Sequence, residues 1–295
     1  MKSFSRRKFL QHCAAGMAAV TTQAGAWTPS SYSANTLGQV KLGKSGVQVS
    51  RLAMGTGTSG WNHQSNQTRL GMSAFVNMAA SAYDAGITFF DVADTYGSHT
   101  FLRTALKEIP RERVVILTKI WTEGDDWSKP FASANVLDRF RKELDTDYLD
   151  IVLLHCQTSS NWLAHTQRLR DALSEAKAKG LIRAHGVSCH GFEALQAAAA
   201  SAWVEVLLAR INPFGAAMDA APQQVMPVLK QAHERGAGVI GMKIFGAGSH
   251  VTERQRQSSL EYVWNSGLVD AMTIGVEKSE HITDAVRRTN RILRG

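Results

Sequence analysis

The feature that most constrains this chain is a repeated switch of hydrophobic period. Short continuous apolar runs at residues 52–55, 87–92, 114–118, 148–154, 184–188, 206–211, 239–243 and 271–274 read as strands. Between and after them, residues 72–85, 100–107, 132–144, 161–179, 193–202, 222–235, 252–264 and 280–292 carry helical spacing. Strands that are apolar on both faces belong to parallel sheets covered by helices. About eight such units favour closure into a (β/α)8 (TIM) barrel over an open sheet, and 295 residues accommodate the roughly 250 that such a barrel needs. Ahead of the first unit, residues 40–50 read as an N-terminal β-hairpin, with apolar residues flanking the turn Gly43-Lys44-Ser45-Gly46. It is placed to plug one end of the barrel.

The extreme N-terminus has a different character. Ser5-Arg6-Arg7-Lys8-Phe9-Leu10 precedes an Ala-rich stretch from Cys13 to Val20, and Ala24, Gly25 and Ala26 supply small residues for cleavage. This pattern resembles a twin-arginine export signal. The expected organisation is a signal over 1–26, a linker rich in Ser, Thr and Ala over 27–38, and one barrel over 39–295. The signal implies contact with the export machinery and a periplasmic or otherwise exported destination, reached after folding. The net charge of +8 falls to +4 when residues 1–26, with four basic residues and no acids, are removed. That value, without basic runs interleaved with aromatics, argues against nucleic acid as a partner. No stretch has the roughly 20 apolar residues of a membrane-spanning helix. Outside the signal only Cys156 and Cys189 remain, so one bridge is the most that cysteine could supply. No metal-ligand spacing is present, and no metal is expected.

Reactive residues of such barrels sit at the C-terminal ends of strands. The second strand runs out into FDVADTYG with Asp91 and Tyr96, the third into ILTK with Lys119, and the fourth into DIVLLH with His155. Singly, each has an ordinary reading: a turn cap, a rim aromatic, a snorkelling amine, a core imidazole. Together they bring an acid, a phenol, an amine and an imidazole to one end of the barrel. Trp61, His63, His99, His190, Met242 and Trp127 fall in neighbouring loops or strand ends, where packing or a solvated loop accounts for them as well as a substrate does.

In this order and wording, Asp91, Tyr96, Lys119 and His155 resemble the catalytic tetrad of the aldo/keto reductases. KLGKSGVQVSRLAMGTG is similar to that family's hairpin and first strand, GVSCHG to its Gly-Val-Ser-Asn segment, and TIGVEKSEHITDAV to its cofactor-binding tail. The likeness covers residues 39–292. It implies hydride transfer between a nicotinamide and a small carbonyl or alcohol substrate, with NADP favoured over NAD. Tyr96 would be the proton donor, Lys119 the ammonium that lowers its pKa, Asp91 the partner that fixes Lys119, and His155 the group that orients the substrate oxygen. Run backwards, the same groups oxidise an alcohol.

The resemblance also implies a cofactor site, with departures. No GxGxxG loop is present. Ser188 matches the family's carboxamide ligand, but Cys189 stands where the family has Asn, and Arg210 where it has Gln. The stacking aromatic is replaced by Pro213 or its role passes to Phe214. Lys243, Gly246 and Gly248 form the loop after the seventh strand, where such barrels hold phosphate. In the tail, Gly275 stands at a family lysine and His281 at a family arginine, while Lys278 remains for a 2′-phosphate. Two other readings stay open: a nicotinamide-binding sensor of the same fold, and a non-catalytic exported barrel.

Overall fold

The computed structural model describes residues 37–122 and 132–295. The expected export signal, most of the linker and Trp127 lie outside these residues. The described chain begins with an antiparallel hairpin, β1 (Gln39–Lys41) and β2 (Gln48–Ser50), in the register Val40 opposite Val49. Eight parallel strands follow: β3 (Leu52–Gly55), β4 (Phe89–Asp91), β5 (Val115–Trp121), β6 (Leu149–Gln157), β7 (Ile182–Cys189), β8 (Val206–Arg210), β9 (Gly238–Met242) and β10 (Ala271–Gly275). They close in sequence order, with β10 pairing back to β3. The expected (β/α)8 barrel with its N-terminal hairpin is therefore the fold.

The helices are α1 (Asn66–Arg69), α2 (Met72–Asp84), α3 (His99–Ala105), α4 (Ala132–Leu144), α5 (Trp162–His165), α6 (Gln167–Ala178), α7 (Phe192–Ala200), α8 (Pro222–Glu234), α9 (Glu253–Asn265) and α10 (Ser279–Leu293). The single helix expected over 161–179 is two, α5 and α6. At the break, Thr166 adopts φ −101° and ψ 14°, and its hydroxyl donates to the Trp162 carbonyl at 2.6 Å. Such back-bonding competes with the helical ladder and bends it. Among the described residues no helix is long and apolar enough to cross a membrane.

Two cores result from strand alternation. Ala53, Phe89, Leu117, Ile151, Leu153, Leu208 and Ile240 fill the barrel interior. Phe90, Ile116, Val152, Val187 and Leu207 face the helices. The hairpin contributes Leu42, Val47 and Val49 to the interior core, and Gly43 bridges to Ala237 just before β9. It therefore closes the end from which the strands start. Chemistry is left to the opposite end.

Candidate active site

The alternation that fills the barrel also fixes which side chains look into its mouth. Counting by twos from interior residues leads to Asp91 on β4, Lys119 on β5, His155 on β6, Ser188 on β7 and Arg210 on β8. Consecutive strands thus deliver polar side chains at one level, above the apolar filling.

Asp91 and Lys119 form a buried ion pair, with Lys119 only 1% exposed. The ammonium also donates to the Val92 carbonyl at 3.2 Å. The second carboxylate oxygen of Asp91 accepts from the Thr273 hydroxyl on β10 at 2.8 Å. Both carboxylate oxygens are therefore used, as a buried charge requires.

Tyr96 ends a short 3-10 turn, Asp94–Tyr96, that follows β4. The turn is fixed from outside: Arg139 of α4 grips the Asp94 carboxylate with two hydrogen bonds, at 2.9 and 2.7 Å. The phenol ring is fixed by close approach of the loop after β3. A Cβ on Gly57 or on Gly60 would lie 2.3 Å from ring carbons of Tyr96. Only glycine leaves room for the ring at both places.

The Tyr96 hydroxyl lies 3.2 Å from His155 Nε2, and the Thr95 hydroxyl lies 3.3 Å from His155 Nδ1. A bulge aims His155: Cys156 takes φ +61°, the register with β7 shifts between Leu154 and Gln157, and Gln157 Nε2 donates to the His155 carbonyl at 2.8 Å. The Lys119 ammonium sits 4.7 Å from the centroid of the Tyr96 ring. All four residues of the expected tetrad come together.

Their electrostatics correct one expectation. Burial, then the Asp91 carboxylate and Cys156, hold the Tyr96 hydroxyl well above the usual phenol range. Lys119 was expected to lower it. In this geometry desolvation outweighs any pull from the ammonium, and the Asp91 carboxylate that pairs with Lys119 adds to the rise. Lys119 is itself pulled below the usual ammonium range by burial, against the upward pull of Asp91. His155 is held well below the usual imidazole range by burial, with Lys119 and His190 adding to it. It is neutral at pH 7.

The expected cofactor residues lie at the same end but are differently engaged. Ser188 is 1% exposed, and its hydroxyl has no partner among the described residues. Cys189, one step on, faces the outer core and is buried there, and its thiol is pushed well above the usual range by burial. It does not stand in for the family's Asn. Arg210 forms an ion pair at 2.6 Å with Asp219 from the loop after β8, while its Nε is unpartnered. Lys243 follows β9 with φ +57°, and Gly246 and Gly248 bound a short turn. Lys278 and His281 open α10, where the Glu277 amide donates to His281 Nδ1 at 3.3 Å. Phe214 is exposed and stacks on His250 at 4.1 Å.

Some contributors were missed by sequence reasoning. Thr273, Gly57, Gly60, Arg139 and Asp219 act through proximity that no local motif shows. The parity of β10 was the one available signal for Thr273. Of the mouth candidates, Trp61 is 61% exposed and meets the edge of Trp121, whose ring meets His155. His99 is instead buried outside the barrel between Glu143 and Thr118.

Comparison with known proteins places this geometry. A family model described as "Aldo/keto reductase family" matches residues 51–287. A "Probable aldo-keto reductase 1" from Glycine max is 31% identical over 151 residues, 48% of this chain and 42% of that protein. An "NADH-specific methylglyoxal reductase" from Escherichia coli K12 is 27% identical over 172 residues, 51% of each. These matches span about half the length of the curated relatives. A putative aldo-keto reductase structure from Pseudomonas aeruginosa superposes with a TM-score of 0.71 at 24% identity, covering 86% of this chain and 95% of that one, which attests to the fold. With the family match extending over most of its length, the chain belongs to the aldo/keto reductase family.

Proposed function

We propose that the protein reduces small aldehydes or ketones to alcohols with a reduced nicotinamide nucleotide, NADPH ahead of NADH, and that Tyr96 is the proton donor. The observation that carries this reading is the Tyr96 hydroxyl held 3.2 Å from His155 at the barrel mouth, above the buried Asp91–Lys119 pair. The donor set fits the nucleotide in part. The unpartnered, buried Ser188 hydroxyl is what a carboxamide would satisfy. The start of α10, with Lys278 and His281, offers N–H groups and basic side chains to a 2′-phosphate. The Arg210–Asp219 pair replaces a neutral amide contact and does not match it.

When bound, the nucleotide supplies the hydride. The chain's residues manage the oxygen. Neutral His155 donates one N–H to the carbonyl oxygen, which polarises it. Tyr96 holds its proton on Oη throughout the ordinary pH range and releases it as the oxygen becomes an alkoxide. An alkoxide is a much stronger base than a phenolate, so a raised phenol pKa does not block this transfer. Asp91 and Thr273 keep the Lys119 ammonium in place beneath the ring. Trp61 and Trp121 meet edge to face on one side of the mouth, with the Trp121 ring against His155.

The test is carbonyl-dependent loss of NADPH absorbance, with methylglyoxal as first substrate because a relative acts on it. Tyr96→Phe is expected to cut turnover about 100-fold or more, the scale of general acid catalysis. Unaltered turnover overturns the mechanism. Tight nucleotide binding without any carbonyl turnover is the outcome that favours a sensor, a reading to which the altered contacts at Cys189 and Arg210 lend support. We also propose export through the twin-arginine pathway, supported by SRRKFL and the Ala-rich stretch after it. Residues 1–38 fused to a fluorescent protein should direct it out of the cytoplasm, and changing Arg6 and Arg7 to Lys should retain it.

A further inference from the structure

The loop between β3 and α2 is tied together internally. Ser65 and Thr68 close a capping box around α1, and the Asn66 amide donates to the Thr58 carbonyl at 2.8 Å. Trp61 and Gln64 exchange backbone hydrogen bonds at 2.8 and 3.1 Å. One side of this loop meets the proton donor. Gly57 and Gly60 back the Tyr96 ring, and a Cβ on Gly97 would lie 2.0 Å from the His63 carbonyl oxygen. His63 Nδ1 donates to the Asp94 carbonyl at 3.0 Å. The same loop presents Trp61 to Trp121, whose ring meets His155.

The other side of the loop is fastened to the chain that leaves β10, and Gln67 is the fastener. Its side chain is fully buried. Oε1 accepts from the Thr58 amide at 3.0 Å, while Nε2 donates to the Thr58 hydroxyl at 2.9 Å and to the Val276 carbonyl at 3.0 Å. Both donors and an acceptor of the amide are thus used, which is the condition for burying it. Asn66 adds a second strap, donating to the Glu277 carboxylate at 2.7 Å. The contact needs a glycine, since a Cβ on Gly275 would lie 2.2 Å from the Thr58 hydroxyl oxygen. Gly275 is the position where the resemblance implies a lysine, so the seat for Thr58 is open in this chain because no side chain stands there. An apolar side chain at position 67 could fill the same space. A directional amide also selects one docking of the loop on residues 275–277.

We propose that Gln67 is a positioning residue for the reaction: by bracing the loop after β3 against residues 275–277, it holds the Tyr96 ring and Trp61 in place. Its hydrogen bonds go to Thr58 and Val276 and none to the tetrad, so it acts through Gly57, Gly60 and Trp61. The effect on rate follows from geometry, because a displacement of about 1 Å at a reacting group can cost on the order of 100-fold. The proposal rests on the carbonyl-reductase reading above and adds to it a residue outside the tetrad.

Gln67→Leu removes the hydrogen bonds while keeping an apolar filling. With NADPH saturating and methylglyoxal varied, kcat and kcat/KM are both expected to fall about tenfold, the pattern of an interaction realised in the transition state. Leu42→Ala, destabilised at the closed end, is the control and should keep its turnover per folded molecule. Gln67→Glu tests the Val276 contact itself. Its carboxylate would face a carbonyl, so turnover should be low at pH 8 and recover toward pH 5, where a protonated carboxyl, favoured by burial, regains one donor. Turnover that stays as low as that of Gln67→Leu down to pH 5 overturns the proposal. Circular dichroism supplies a readout independent of turnover. The Trp61 and Trp121 rings lie 4.9 Å apart, close enough for exciton coupling, and the part of that signal abolished by Trp61→Phe should shrink in Gln67→Leu. If methylglyoxal is reduced but Gln67→Leu keeps the wild-type kcat or an intact Trp61 signal, the brace fails and the reductase reading stands. If the signal shrinks while the wild type reduces no carbonyl, the reductase reading fails and the brace stands.

Discussion

Lys119 illustrates how a buried charge acquires a role. Its ammonium is 1% exposed and, among the described residues, is balanced only by Asp91, itself fixed by Thr273. Removing one partner of such a pair leaves the other uncompensated. Lys119→Met is therefore expected to destabilise the fold by about 3–5 kcal/mol, while Asp91→Asn combined with Lys119→Met should recover much of that loss. Urea melts of the two variants check this. A double variant no more stable than the single one would show that Asp91 and Lys119 do not act as a pair. Both variants should still be poor reductases, because Tyr96 loses the charges beneath its ring. Stability and turnover then separate, which distinguishes a site residue from a core residue.

At the level of elements, the hairpin and the loop after β3 divide the work between the two ends of the barrel. Leu42 is fully buried in the closed end, far in sequence from any reactive group. Leu42→Ala should lower stability by about 2–5 kcal/mol with turnover preserved in the folded fraction. Gly57→Ala should do the reverse: little change in melting, but a loss of turnover, because its Cβ would meet the Tyr96 ring at 2.3 Å. Turnover equal to wild type in Gly57→Ala would mean that the ring is not fixed by that loop. The elements also show what a sequence can disclose. The strands were legible because both faces are apolar, yet two of the apolar runs stop well short. The run at 114–118 belongs to a strand reaching Trp121, and 148–154 to one reaching Gln157. The hydrophobic signal ends where the strand begins to line the site, so the shortfall itself marks the mouth. The tetrad was legible because its four residues stand at or just after successive strand ends in the order of the aldo/keto reductases. Gly57, Gly60, Thr273 and Asp219 were not, because each matters through a contact between distant segments that leaves no local pattern.

For the molecule as a whole, several imidazoles folded in neutral form set how stability depends on pH. Burial is the leading cause of the lowered pKa of His155, His185 and His190, the last to about 3. In the unfolded chain each returns to about 6.5. Below that value the unfolded state binds more protons than the folded one, so stability falls as pH falls. For His190 the loss continues until the pH nears 3. Between pH 6.5 and 5 most carboxylates stay ionised in both states, which leaves this interval to the histidines. Each one that stays neutral in the fold is expected to remove roughly 2 kcal/mol by pH 5. At lower pH the signs mix. Asp284, held to about 2 by its arginines, adds to the loss, whereas Asp219 and Asp270, raised by burial, oppose it. Turnover should follow a different course, since burial favours the neutral form of His155 and the protonated form of Tyr96. Denaturation midpoints at pH 7 and pH 5, taken with initial rates at both, test the argument. The midpoint should drop while the rate per folded molecule holds, and His190→Gln should shrink the drop by about one histidine's share. A midpoint that does not move between those pH values would mean that these rings take up protons as readily in the fold as in water, and the neutral His155 on which substrate polarisation depends would be lost with them.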